Sequence, residues 1–109
     1  MSSTTITRGN SHETFYIGPT LSPSSVTNAT TSNQTFNVAG LLTSDIVYVL
    51  GVVGNQTSGI AAIEADVTAA GQITIQFTNC AAAPATPVSG VYVIQVVRTE
   101  GNILPVNAA

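Results

Sequence analysis

The chain has no lysine, no tryptophan, one cysteine and one histidine, and charged residues make up only 6% of its 109 positions. Ordinary domains carry roughly 25%. Each shortage excludes something. Two arginines, Arg8 and Arg98, ninety positions apart, cannot form the basic surface that phosphate binding requires. The same shortage argues against an anionic membrane surface. A single cysteine, Cys80, forms no internal disulfide, so the fold is not a disulfide-stapled secreted module. The longest apolar run, Ile46 to Val53, is far shorter than the roughly 20 residues of a membrane span. The opening Met-Ser-Ser-Thr-Thr lacks the apolar core of a signal peptide, so the expectation is a soluble chain made in the cytoplasm.

Neutral polar and β-branched residues fill the vacated places. There are 16 Thr, 10 Ser, 8 Asn and 5 Gln, and Val, Ile and Thr together number 38. At 44% hydrophobic and with so little charge, the chain does not have the composition of a disordered one. The formal net charge of −3 gives weak repulsion between copies, which suits a subunit of a large assembly better than a freely diffusing monomer.

Three segments follow from the pattern. Residues 1–32 are rich in Ser, Thr, Asn and Pro and read as an extended N-terminal arm. Within it Thr14 to Ile17 is a short strand that Gly18-Pro19 ends. Residues 33–100 read as strand after strand, and residues 101–109 as a C-terminal tail. Gln34 to Val38 alternates. Asp45 to Val53 is aliphatic on both faces, so it is a central strand or lies under a subunit contact. Ile60 to Thr68 alternates with Ala61, Ile63, Ala65 and Val67 on one face and Glu64 and Asp66 on the other. Ala69-Ala70-Gly71 is a turn with Gly71 in the left-handed position, and Gln72 to Thr78 turns Ile73, Ile75 and Phe77 inward. Val91 to Thr99 is the last strand. The expected fold is all-β, a small antiparallel β-sandwich, with a small β-barrel as the alternative. The expected core is Phe36, Val38, Val47, Val49, Ile63, Val67, Ile73, Ile75, Phe77 and Val93.

Candidate chemistry is sparse. His12 stands alone in a polar segment, without the rigid partners that orient a catalytic base. Cys80 has no basic neighbour in sequence to activate its thiol and reads as a small filler at a strand end. Glu64 and Asp66 share a strand face but lack the further oxygen ligands of a cation site, so they read as a solvated face or as partners of Arg98 or Arg8. Asn28, Asn33 and Asn55 begin glycosylation-acceptor triplets that arise readily by chance in so Asn- and Thr-rich a chain. No catalytic residues, metal ligands or cofactor are assigned, and the chain is read as a non-enzyme.

The stretch Phe36-Asn37-Val38-Ala39-Gly40-Leu41, then Ser44-Asp45-Ile46-Val47-Tyr48-Val49, sets a pattern of elements. It continues through Ala65-Asp66-Val67-Thr68-Ala69-Ala70-Gly71-Gln72-Ile73-Thr74-Ile75-Gln76-Phe77-Thr78-Asn79 to Pro87-Val88-Ser89-Gly90-Val91-Tyr92 and Val96-Val97-Arg98. Over about 60 residues it resembles the small β-sandwich units of tailed-bacteriophage virion proteins, above all capsid decoration (cement) proteins. The resemblance implies a non-enzymatic structural protein on the outer face of the phage head, hence a virion location. Its implied partner is the major capsid protein. The two-sided aliphatic run 46–53 and strand 91–97 exceed what one small core needs, so further copies of the chain are also expected as partners, as a trimer. A head–tail connector, a tail or a head-fibre component is the alternative within that class. A carbohydrate-binding or adhesin module, using Asn55, Gln56 and the 81–90 loop, is the rival from another class. Candidate contacts with the capsid or another subunit are Phe15, Tyr16, Ile17, Tyr48, Leu50, Val52 and Tyr92.

Overall fold

β-Branched residues suit the pleated, half-buried surface of a sheet, and the chain folds as strands with no helix among the described residues. The computed structural model describes residues 11–100 and, as backbone only, the strand pairs Thr5–Ile6 and Asn107–Ala108. The strands are β1 (Thr5–Ile6), β2 (Ser11–Ile17), β3 (Thr20–Leu21), β4 (Thr30–Asn37), β5 (Ile46–Val52), β6 (Ile60–Asp66), β7 (Gln72–Asn79), β8 (Gly90–Thr99) and β9 (Asn107–Ala108). β1 and β9 pair in parallel.

Two antiparallel sheets form the sandwich. In the first, β8 is central, with β5 on one side and β2 followed by β3 on the other. In the second, β7 is central between β4 and β6. Pro19 has no N–H to continue the ladder, but its carbonyl accepts from Tyr92 N at 3.0 Å, so the break between β2 and β3 does not lift the chain off β8. The two sheets do not close into a barrel. β5 and β6 lie side by side without a ladder between them.

β7 shows most directly how the core is made. Its residues alternate along the strand, with Ile73, Ile75, Phe77 and Asn79 buried against the other sheet. Tyr92, Ile94 and Val96 of β8 answer them, and Phe77 meets Tyr92 edge-on, with centroids 6.1 Å apart. Leu21, Val26, Leu41, Val47, Ile60 and Val67 complete this core. Gly71 has φ of 76°, the left-handed conformation that its turn requires.

Several expectations need correction. Residues 11–32 are not a free arm: Ser11–Ile17 and Thr20–Leu21 pair with β8, and β4 already begins at Thr30. Apart from Thr5–Ile6, residues 1–10 lie outside the described residues, as do 101–106 and 109 of the tail. Ile63 is not in the core. The ladder shifts between Ala62 and Glu64, and the extra residue of this bulge, Ile63, is left 54% exposed. Val93 lies on the side of β8 opposite Tyr92 and Ile94, so it faces away from the core. The aliphatic run 45–53 forms an edge strand, β5, and none of the described residues covers its outer face.

Candidate functional site

Strand register assembles an apolar surface from residues distant in sequence. On the outer face of the first sheet, Tyr16 of β2, Gln95 of β8 and Tyr48 of β5 stand in one row. Thr14, Val97 and Ile46 form the row beside it. Val91 and Val93 continue the face along β8. At the rim, the β5 ladder shifts between Val49 and Gly51, and this second bulge pushes Leu50 outward. Tyr16 is 63% exposed, Tyr48 54% and Leu50 56%.

Among the described residues, no charged side chain stands on this face. The nearest charges, Glu13, Asp45 and Arg98, belong to the inner side at one end of the sandwich. Arg98 grips the buried Asp45 carboxylate with two bonds, Nε to Oδ1 at 2.9 Å and Nη2 to Oδ2 at 2.7 Å. The same Nη2 donates to Gly40 O at 3.0 Å, and Leu42 N donates to Asp45 Oδ2 at 2.9 Å. Glu13 lies 3.8 Å away, and the guanidinium rests over the Phe15 ring at 5.2 Å. The Arg98 hydrogen bonds hold the Asp45 carboxyl below its ordinary range, against the opposing effect of burial. The same bonds raise the Arg98 pKa further. This cluster ties β8 to the turn before β5; all its groups are engaged in that task.

A second polar cluster ties down the loops at the opposite end. The Tyr92 hydroxyl donates to Val88 O at 2.7 Å and accepts from Gln56 Nε2 at 3.1 Å. Gln56 Oε1 accepts from Val88 N at 2.7 Å and Thr57 N at 2.9 Å. Burial raises the Tyr92 pKa, and the Gln56 bond partly opposes this. Asn79, 1% exposed, donates from Nδ2 to Val26 O and Ala83 O, each at 3.0 Å, and accepts from Ala81 N at 2.8 Å. Residue type does not disclose these roles, because the partners lie on loops whose approach is set by the tertiary fold.

The interface candidates separate by side of the sheet. Tyr16, Tyr48 and Leu50 are outside. Phe15, Ile17 and Val52 point inward and pack against the core. Tyr92 is corrected outright: at 1% exposure it is a core residue and unavailable to a partner. Side chains alternate along a strand, so neighbours in sequence cannot serve the same surface.

The other candidates are dispersed. His12 is exposed on β2. Cys80 is exposed, not a filler, with its Sγ 3.4 Å from Gly59 O. Glu64 and Asp66 are exposed on the outer face of the second sheet, beside a shallow concavity of about 190 Å³ that Asn33, Thr74 and Gln76 also line. Arg98 pairs with Asp45 and Glu13. Among the described residues, no three His, Cys, Asp or Glu side chains come together as a metal site. Asn28, Asn33 and Asn55 are all exposed.

No family model, no curated protein and no solved structure matches this chain.

Proposed function

We propose that this chain is a non-enzymatic structural subunit of a tailed-phage virion, a decoration protein that binds the outer face of the head and stabilises it. The observation that carries the reading is the uncharged, largely apolar outer face of the β2–β8–β5 sheet. Exposed apolar patches on soluble domains mark surfaces that are covered in use. The two polar clusters are occupied in holding the fold, and every buried side-chain nitrogen and oxygen among the described residues has a partner. The class of assembly comes from the sequence resemblance.

The size of the face sets the mode of action. Three strands about 4.8 Å apart and some seven residues long present about 300 Å². Covering that area and an equal one on the partner gives a gross gain of about 15 kcal/mol at ~25 cal/mol per Å². Association costs about 4–15 kcal/mol. One such contact is therefore weak. Subunits joined to one another through such contacts engage a shell at many points at once, and linked weak contacts give stable coverage. Low charge helps, because no ion need be desolvated as the face is covered.

The test is location. Immunogold labelling of particles purified from the source of the gene places regularly spaced label over the head. Label on the tail or connector, or none on particles, refutes the reading.

A further inference from the structure

We infer that the outer face of the β2–β8–β5 sheet is a self-association surface, and that its occupant is the same face of a second copy of this chain. The inference deepens the reading above, resting on the premise that this face is covered in use, and it names what covers it.

Three observations converge. The first is segregation. Among the described residues, the exposed large hydrophobics are Tyr16, Leu42, Tyr48, Leu50, Val53, Ile63 and Val91. Five of them lie on this face or along its β5 rim, and none lies on β4 or β7. The outer face of the second sheet carries Thr31, Asn33 and Thr35 opposite Thr78, Gln76 and Thr74. A face scattered with single apolar residues needs no partner, whereas a clustered one of about 300 Å² is of the size that often serves one.

The second is charge. Among the described residues the face presents no ionised group: Glu13 and Asp45 stand at the end of the core, Glu64 and Asp66 on the opposite sheet, and Glu100 beyond the end of β8. A complementary partner must itself be uncharged over this area, or it would bury an ion without a counter-ion. A second copy meets that condition.

The third is the order within the row Tyr16–Gln95–Tyr48. Copies related by a two-fold axis meet through the same residues. A two-fold lying in the interface and passing through this row sets ring against ring at both ends and Gln95 against Gln95 in the middle. A purely apolar partner would leave the Gln95 amide unpaired. A second Gln95 supplies both a donor and an acceptor. The pairing is sheet on sheet, with strands close to aligned, as in the sandwich itself.

The area decides strength. A pair covering about 600 Å² in total falls below the roughly 1,200 Å² of stable complexes, so association is reversible and concentration-dependent.

The experiment is sedimentation velocity on the full chain from about 5 μM to about 1 mM, the range in which so small an interface populates both states. The expected result is a monomer that gives way to a larger species as concentration rises. Tyr16→Arg with Tyr48→Arg places like charges in mutual contact and weakens association by about 100-fold or more. Asn33→Arg, on the exposed polar face, leaves it unchanged. Both tyrosines are exposed, and circular dichroism checks that the variants fold. If the double variant unfolds, Tyr48→Ser alone must still weaken association.

A wild-type chain that stays monomeric throughout overturns the inference. So does association that the tyrosine variants leave intact, or that Asn33→Arg weakens equally. These results are independent of the virion reading. A monomer whose label decorates phage heads defeats the self-association surface and spares the decoration role. A self-associating chain absent from particles does the reverse.

Discussion

Removing the Asn79 amide should unfasten the loop that follows β7. Asn79→Ala deletes two donated bonds, to Val26 O and Ala83 O, and one accepted from Ala81 N. Val26 O keeps a bond from Ala85 N at 3.1 Å, and water can reach the exposed Ala83. Three hydrogen bonds at about 1 kcal/mol each, reduced by that access, put the loss at about 2–3 kcal/mol. With a urea m-value of about 1 kcal/mol/M, the midpoint falls by about 2–3 M. Tyrosine fluorescence can follow unfolding without interference, since the chain has no tryptophan. Asn79→Asp is the sharper variant. It keeps an oxygen for Ala81 N but turns a second oxygen toward two carbonyls, so at neutral pH it destabilises more than Asn79→Ala. In that variant burial and the facing carbonyls raise the folded pKa above the unfolded value of about 3.9. Its stability is then fullest below about pH 4 and falls as pH rises, because the folded state holds a proton that the unfolded state gives up. A loss under about 0.5 kcal/mol for Asn79→Ala would refute the argument, because no buried bond is worth so little on this reckoning. An Asp variant more stable than the Ala variant at pH 7 would refute it equally.

Gly59 and Gly71 both have left-handed backbones, at φ of 85° and 76°. Alanine at Gly71 meets nothing within 4 Å and should cost about 1–2 kcal/mol from conformation alone. At Gly59 the new Cβ would stand 3.0 Å from Ala81 Cβ, so thermal unfolding should show a larger loss there, partly restored by Ala81→Gly. Tyr92→Phe removes a hydroxyl bonded to Val88 and Gln56 and should cost about 1–2 kcal/mol in urea titrations. Because burial raises the Tyr92 pKa, the wild type should lose stability above about pH 10, and the Phe variant should lose less of it there. The depressed Asp45 pKa works in the other direction: its contribution is complete above about pH 4–5 and disappears as pH falls through the folded value. Acid titration of Asp45→Asn should therefore show a flatter limb than the wild type, and an unchanged limb would refute this role.

The parts legible in the sequence are those where strand period speaks without interruption. Ile73, Ile75 and Phe77 alternate with Thr74, Gln76 and Thr78, and the structure buries the first set. β2 was legible only in its second half. Ser11, His12, Glu13 and Thr14 have no apolar period, and they are held in the sheet by the ladder to β8, a tertiary fact. Ile63 shows a different limit. Its neighbours Ala65 and Val67 turn inward as their alternation implies, but the bulge removes Ile63 from the same face. Nothing in the residue pattern announces a bulge at that position. The Asp45–Arg98 pair was illegible for a similar reason: 53 residues separate the partners, and only the β5–β8 register brings them together. Of the interface candidates, Tyr16, Tyr48 and Leu50 are exposed, whereas Tyr92 lies on the buried side of its strand.

Charge poverty alone does not explain the surface. If scarce charge simply left apolar residues wherever solvent could be tolerated, both outer faces would carry them alike. They do not. The β4–β7–β6 sheet uses Thr, Asn, Gln, Glu64 and Asp66 on its outer face, its exposed large hydrophobic being Ile63 at the β6 bulge, and Thr35 Oγ1 and Thr74 Oγ1 stand 2.9 Å apart across the ladder. The β2–β8–β5 sheet uses Tyr, Val and Ile, although the same polar residues were abundant in the chain. Register shifts sharpen the asymmetry. Besides the one on β2 between Ser11 and Glu13, they lie on β5 and β6, the edge strands that border each other without pairing, and each irregularity works against uncontrolled strand addition at its edge. In the β2–β8–β5 sheet, bulged edges beside an open apolar face direct association through the face, where copies can be separated again, in preference to the edge, where sheets grow without limit.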